Sequence, residues 1–256
     1  MNSSERIELF QRELSYISDN KVKEFAKILL TEADDYFFEV PASSSGKYHP
    51  KFALGDGGLV RHTKAVAYFL NELLRPSIEF EAVTRHDADL LIVAAIAHDI
   101  KKQGDGIEGH TVKEHPQLAA EYVMEMWREH NGKRLISEED AEYICDAVRT
   151  HMGPWSDEPP TTQDQILVFY ADYIASRKEI TGLGFIEEGN NTPVEAYEKP
   201  VYTVEEYKFD FGKTKGMTIA EAYQKEPGYI RWMANKEGFG NVEVQNLVKE
   251  YLKENA

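Results

Sequence analysis

The chain has 256 residues, 42% of them hydrophobic and 29% charged, and carries a formal net charge of -16. That length supports one good-sized core plus a small second module, and no apolar run approaches the roughly 18 residues that a membrane-spanning helix needs. The acidity repels polyanions at long range and disfavours an extended nucleic-acid groove; it is concentrated in residues 1–200, which carry -15, against -1 for residues 201–256. Cys145 is the only cysteine, so no intrachain disulfide can form, and the N-terminus lacks a basic region followed by an apolar one. A cytoplasmic location with no membrane partner is expected.

Apolar residues recurring at helical spacing predict helices over 5–17, 20–35, 59–74, 87–99, 113–130, 137–151 and 161–178. Ser137 through Asp140 reads as a capping box, and Thr162 with Gln165 as the opening of another helix. Between 41 and 58 the prolines, serines and glycines spell an irregular loop, and loops of that length are usually functional. A second loose stretch, 182–200, holds the expected domain boundary, near 190–200. Beyond it, Val201 to Phe211 is aromatic and β-branched, Gly212 to Gly216 reads as a turn, and helices return at 218–226, 228–236 and 241–253. The expected architecture is an all-α domain over 1–190 and a small α+β module over 201–256, a hairpin plus helices.

Chemistry concentrates in His62, His98, Asp99, His115, His151 and Asp172. His62 shares a helical stripe with Leu59, Val66, Phe69 and Leu73; His115 shares one with Leu118, Ala119, Tyr122 and Met126; His151 closes the stripe Ala141, Ile144, Val148. All three therefore point inward. His98 and Asp99 end the run LLIVAAIAHD, and Asp172 sits in an apolar helix after Phe169, Tyr170 and Ala171. A single inward histidine is usually a satisfied core residue. Several imidazoles together with two carboxylates are hard to explain as packing, because isolated buried carboxylates are costly and a divalent cation offsets that cost. His49, His86 and His130 lie in polar or loop contexts and receive no role; His110 competes with His115.

The order H, HD, D, together with GGLVRHTKAV, AAIAHDIKK, EHPQLAAEYV, RTHMGPW and ADYIASR, resembles the signature of the HD superfamily of metal-dependent phosphohydrolases over roughly residues 20 to 180. The resemblance implies an all-α HD domain. It implies one metal on His62, His98, Asp99 and Asp172, and a second on His115 and His151 with Asp99 bridging. Its position relative to Ala119, Ala120 and Glu121 favours His115 over His110. Many relatives read HDIGK where this chain has HDIKK, so Lys101 replaces a small residue while Lys102 keeps the lysine position. Asp99 and Lys102 are then the catalytic candidates, with Lys102, Arg149 and Arg177 as candidates for binding substrate. The cofactor would be one or two divalent ions of Mn, Fe, Co, Ni, Zn or Mg.

Segment 36–70 resembles the HD domain of bacterial 3′-5′ exoribonucleases, although the OB-fold that precedes that domain has no room here. FDFGKTKGMTI followed by PGYIRWM resembles the module that follows the nuclease domain of exodeoxyribonuclease X-like proteins. There Phe209, Phe211, Tyr229 and Trp232 with Lys213, Lys215 and Arg231 offer either a surface for stacking single-stranded bases or simply the module's own small core. The reaction expected is hydrolysis of a phosphoester or phosphodiester of a nucleotide, cyclic nucleotide or short oligonucleotide. The alternatives are a 3′-5′ single-strand nuclease and a catalytically silent HD nucleotide sensor or scaffold.

Overall fold

A first helical turn leaves backbone N–H groups unpaired, and polar side chains just ahead of the helices in this chain accept them. The computed structural model describes residues 1–43, 49–104, 109–130, 132–180, 202–209, 212–236 and 242–255. Asn2 and Glu5 form a capping box at α1 (Ser3–Leu9), followed by α2 (Gln11–Ser15). Asp19 caps α3 (Asn20–Glu32), and α4 (Asp35–Glu39) and α5 (Gly58–Glu79) follow. Thr84 caps α6 (Arg85–Ala97). After α7 (His115–Glu129) and α8 (Gly132–Leu135), the Ser137–Asp140 box opens α9 (Glu138–Arg149), and Thr162 with Gln165 opens α10 (Gln163–Ala175).

The helix expected over 5–17 is instead two, divided at Phe10, whose backbone leaves the helical region at φ -110. Phe10 is fully buried and stacks on Phe37 at 6.2 Å, so the break serves to seat an aromatic ring in the core. The loop ahead of α5 ends in a pair of glycines. Gly57 adopts φ +67, and a Cβ on Gly58 would lie 2.3 Å from the Ala53 carbonyl oxygen. Only glycines permit that approach, and it seats the first turn of α5, one turn before His62.

Helix α6 lies at the centre. It packs against α3, α5, α7, α9 and α10, and every residue from Ala88 to Ala97 is buried. Asp89 in it accepts hydrogen bonds from the backbone N–H groups of Ser18, at 3.0 Å, and Asp19, at 2.7 Å, which ties the N-terminal helices to the core. α5 and α10 pack together on one flank of α6, and α7 and α9 on the other.

The chain divides into two compact units, Met1–Ala196 and Tyr197–Ala256. The second contains α11 (Ile219–Lys225), α12 (Pro227–Asn235) and α13 (Val242–Asn255). The expected α+β character is not confirmed: among the described residues no strand forms, and pairing is limited to one antiparallel bridge between Lys208 and Thr218. Tyr207 and Phe209 turn into a core with Ile219, Ile230, Met233 and Val248, so their apolar character is spent on packing against helices. Val201, Asp210 and Phe211 lie outside the described residues, as does the stretch 181–200 in which the boundary was expected.

Candidate metal centre

Six side chains from five helices and their ends converge beside α6. His62 comes from the first turns of α5, His98 and Asp99 from the end of α6, His115 from the start of α7, His151 from just after α9, and Asp172 from α10. All but Asp172, which is partly exposed, are almost fully buried. The two oxygens of Asp99 face different partners. Oδ2 lies 3.4 Å from His98 Nε2 and 3.7 Å from His62 Nε2. Oδ1 lies 3.2 Å from His115 Nε2 and 3.7 Å from His151 Nε2. Donor atoms of His62, His98 and Asp99 thus form one cluster within 4.8 Å, and those of Asp99, His115 and His151 another. Asp172 Oδ1 joins the first, 3.0 Å from His62 Nε2 and 4.0 Å from His98 Nε2.

The local turns fix which ring nitrogen is free. His98, His115 and His151 each direct Nδ1 at the carbonyl three residues earlier, on Ala95, Val112 and Val148, in every case at 2.7 Å. A carbonyl oxygen only accepts, so Nδ1 carries the hydrogen and a neutral ring is left with a lone pair at Nε2. Two of these carbonyls belong to the last turns of α6 and α9. His115 and His151 then face one another Nε2 to Nε2 at 3.3 Å, two lone pairs in close contact unless a cation sits between them. His62 Nε2, His98 Nε2 and Asp99 Oδ1 are buried without a hydrogen bond. Orphaned buried donor atoms, imidazole lone pairs and carboxylate oxygens are what a divalent transition-metal site requires, so these residues fit such an ion.

Burial opposes charge on His62 and His151 and holds both imidazoles toward the neutral, ligand-competent form. For His98 burial acts the same way but is outweighed by Asp99, and its pKa is raised. Burial opposes ionisation of Asp99 too, yet Lys102 and the surrounding histidines hold its carboxyl well below the ordinary range; Asp172 is held down against burial mainly by His62. Lys102 donates to Asp99 Oδ2 and is only 9% exposed. Lys101, the residue that departs from the family pattern, points away and pairs with Asp34 at 2.7 Å.

A cavity of about 480 Å³ opens beside the cluster, with Asp99, Lys102, His115 and Asp172 in its wall. Arg177 also lines it, its guanidinium lying 4.2 Å from the centre of the Tyr173 ring. Arg149 does not line it: its guanidinium is engaged with Asp146 and Glu142. His49, to which the sequence assigned no role, does line it. Its ring stands edge-on to His62 at 5.0 Å, and burial with the neighbouring His62 and Lys102 lowers its pKa to about 3. His49 lies in an irregular loop, where no periodicity marks an inward side chain. His86 pairs with Asp140 at 2.8 Å, and His110 is exposed.

Comparison with known families matches residues 59–177 to the HD domain. The chain carries an HD domain. This HD domain spans all six converging residues, and its superfamily is one of metal-dependent hydrolases. Residues 209–237 match the exodeoxyribonuclease X-like C-terminal domain. Searches of curated proteins and of solved structures found no match for the chain. Among the described residues no helix is long and apolar enough to cross a membrane.

Proposed function

We propose that this chain is a metal-dependent phosphohydrolase that cleaves a phosphoester or phosphodiester of a nucleotide, cyclic nucleotide or short oligonucleotide. The observation that carries the reading is the division of Asp99 between two histidine pairs through its two oxygens. His62, His98, Asp99 and Asp172 would hold one divalent ion, and Asp99, His115 and His151 a second; that mixed histidine and aspartate donor set suits Mn, Fe, Co, Ni or Zn better than Mg, which favours oxygen ligands. Such ions, when bound, polarise a phosphoryl oxygen and bring the pKa of water toward neutrality.

The chain's own groups do the rest. Asp99 orients the attacking water. Lys102, held against Asp99 at the cavity wall, offsets negative charge on the phosphoryl oxygens, and Arg177, which lines the same cavity, does the same. Arg149, turned to its own acidic neighbours, is left out of the substrate-binding set proposed from the sequence.

A second reading, a 3′-5′ single-strand nuclease, is favoured by the C-terminal unit. There Trp232 is 49% exposed and stacks on Tyr229 with ring centres 5.6 Å apart, and Lys213 lies 6.0 Å from the Tyr229 ring centre. Aromatic faces with cations beside them suit single-stranded bases. A silent scaffold is disfavoured, since complete donor sets have no use in one. The deciding experiment is elemental analysis of the purified protein together with hydrolysis of nucleotides, cyclic dinucleotides and single-stranded oligonucleotides in Mn²⁺. Two metals per chain and release of phosphate or mononucleotide support the proposal; no metal and no turnover with intact helicity refute it.

A further inference from the structure

Three of the seven large apolar or aromatic side chains exposed among the described residues, Trp155, Tyr170 and Tyr173, lie close together beside the metal centre. Trp155 is 62% exposed and lines the same cavity as Asp99 and Asp172. A lone exposed aromatic needs no explanation; one held in the wall of a cavity that also contains Asp99, Lys102 and Arg177 does.

Trp155 is held rigidly. It ends a single 3₁₀ turn, Gly153–Trp155. Gly153 takes φ +60 and presses on the Phe169 ring so closely that a Cβ would come within 2.3 Å of it. Ser156, the next residue, donates its hydroxyl to the Arg149 carbonyl at 3.1 Å. The indole lies nearly parallel to Tyr173, 11° between planes, with ring centres 6.2 Å apart, while Arg177 covers Tyr173 at 4.2 Å. If Trp155 served only to close the core, its ring would be covered by Phe169; instead most of it faces outward.

We propose that Trp155 is the platform on which the substrate's nucleobase stacks, which makes the substrate of this centre a nucleoside phosphate with an unpaired base, either a mononucleotide or the end of a single strand. The assignment rests on the phosphohydrolase reading for the position of the phosphate. That end of the ligand meets Lys102 and Arg177, and the indole takes the planar, weakly charged end. A cavity of about 480 Å³ falls within the roughly 300–1,000 Å³ usual for small-ligand sites and does not call for a long strand. The strong net negative charge of residues 1–200 likewise favours recognition through the base over a run of phosphate contacts. A base inside a duplex is covered on both faces by its stacked neighbours and is out of the indole's reach, whereas the base of a mononucleotide or of a single-strand end is not.

The test is binding, read without turnover. Wild-type protein, Trp155→Ala and Trp155→Phe are titrated with AMP, CMP and the dinucleotide pApA, and with ribose 5-phosphate as the base-free probe. Each titration is run without added metal, so that no turnover intervenes, and is followed by calorimetry and tryptophan fluorescence. Stacking on one aromatic is worth about 1–3 kcal/mol, a factor of about 5 to 160 in affinity. The wild type should prefer at least one base-bearing probe over ribose 5-phosphate by such a factor, with quenching of fluorescence. Trp155→Ala should lose that preference while binding ribose 5-phosphate unchanged, and Trp155→Phe should keep part of it without the quench. Equal affinity of the wild type for all probes, or an undiminished preference in a folded Trp155→Ala protein, overturns the proposal. Failure to hydrolyse anything, with the preference intact, would instead remove the phosphohydrolase reading and leave the platform standing.

Discussion

Replacing Asp99 with Asn changes no volume and removes one charge, yet it touches both halves of the centre. Each oxygen of Asp99 serves one histidine pair, at 3.4 and 3.7 Å on one side and 3.2 and 3.7 Å on the other. The variant also leaves the Lys102 ammonium, 9% exposed, without its carboxylate. Wild-type protein in Mn²⁺ at a hundred times the dissociation constant should gain about 2.7 kcal/mol of stability for each ion bound. For a domain of this size each ion raises Tm by about 5–11 °C. In Asp99→Asn the Mn²⁺-induced shift should vanish and the bound metal should fall from two per chain to none. In Asp172→Asn, or in His115→Ala, it should fall to one. Differential scanning fluorimetry across a Mn²⁺ titration, paired with elemental analysis, reads both numbers. An Asp99→Asn protein that keeps two metals and the full shift would refute the assignment of that residue as the shared ligand.

Four further outcomes are expected. Glu13 is fully buried, and neither of its oxygens has a hydrogen bond; burial raises its pKa to about 7 from the ordinary glutamate value of 4.5. The folded chain therefore binds that proton more tightly than the unfolded one, so stability falls as pH rises from about 4.5 to 7 and stays lower above it. Glu13→Gln should flatten that part of the melting profile and stabilise the protein at pH 8, by on the order of 3 kcal/mol at most. Gly153→Ala places a methyl group against the Phe169 ring in a left-handed turn and should cost at least about 1 kcal/mol, read by urea denaturation. Lys102→Gln should lower kcat by about 100-fold or more while sparing most metal binding, checked by kinetics beside elemental analysis. Removing residues 200–256 should leave hydrolysis of small phosphodiesters intact; collapse of the remaining helices by circular dichroism would count against two independently folding units.

The helices of the first unit were legible because their apolar stripes are long and regular, and the same stripes made His62, His115 and His151 legible as inward-facing. The HD dipeptide was legible only as the end of a buried run. What periodicity could not reach was anything held by a loop. His49 enters the cavity from an irregular segment, and Trp155 from a single 3₁₀ turn whose geometry depends on one glycine meeting one distant ring. The engagement of Arg149 is legible in the sequence: Asp146 and Glu142 stand three and seven residues before it on the same helix face, the spacing of a surface ion-pair cluster. The hairpin expected after Val201 rested on aromatic and β-branched composition, which marks a buried face as readily as a strand. In this module tertiary packing claimed Tyr207 and Phe209 for a helical core.

Helix α6 has no side that meets water from Ala88 to Ala97, and this bears on the order in which the molecule comes together. A helix without a polar face gains little by forming alone, since isolated helices of this length are marginal in water. It becomes stable only as its neighbours close around it. The donor atoms span 110 positions of sequence, from His62 to Asp172, so an unfolded chain offers a cation nothing like this arrangement. Capture of an ion would consequently be a late event that reports completed assembly, and the free energy of that capture would be added to the folding of the whole helical unit.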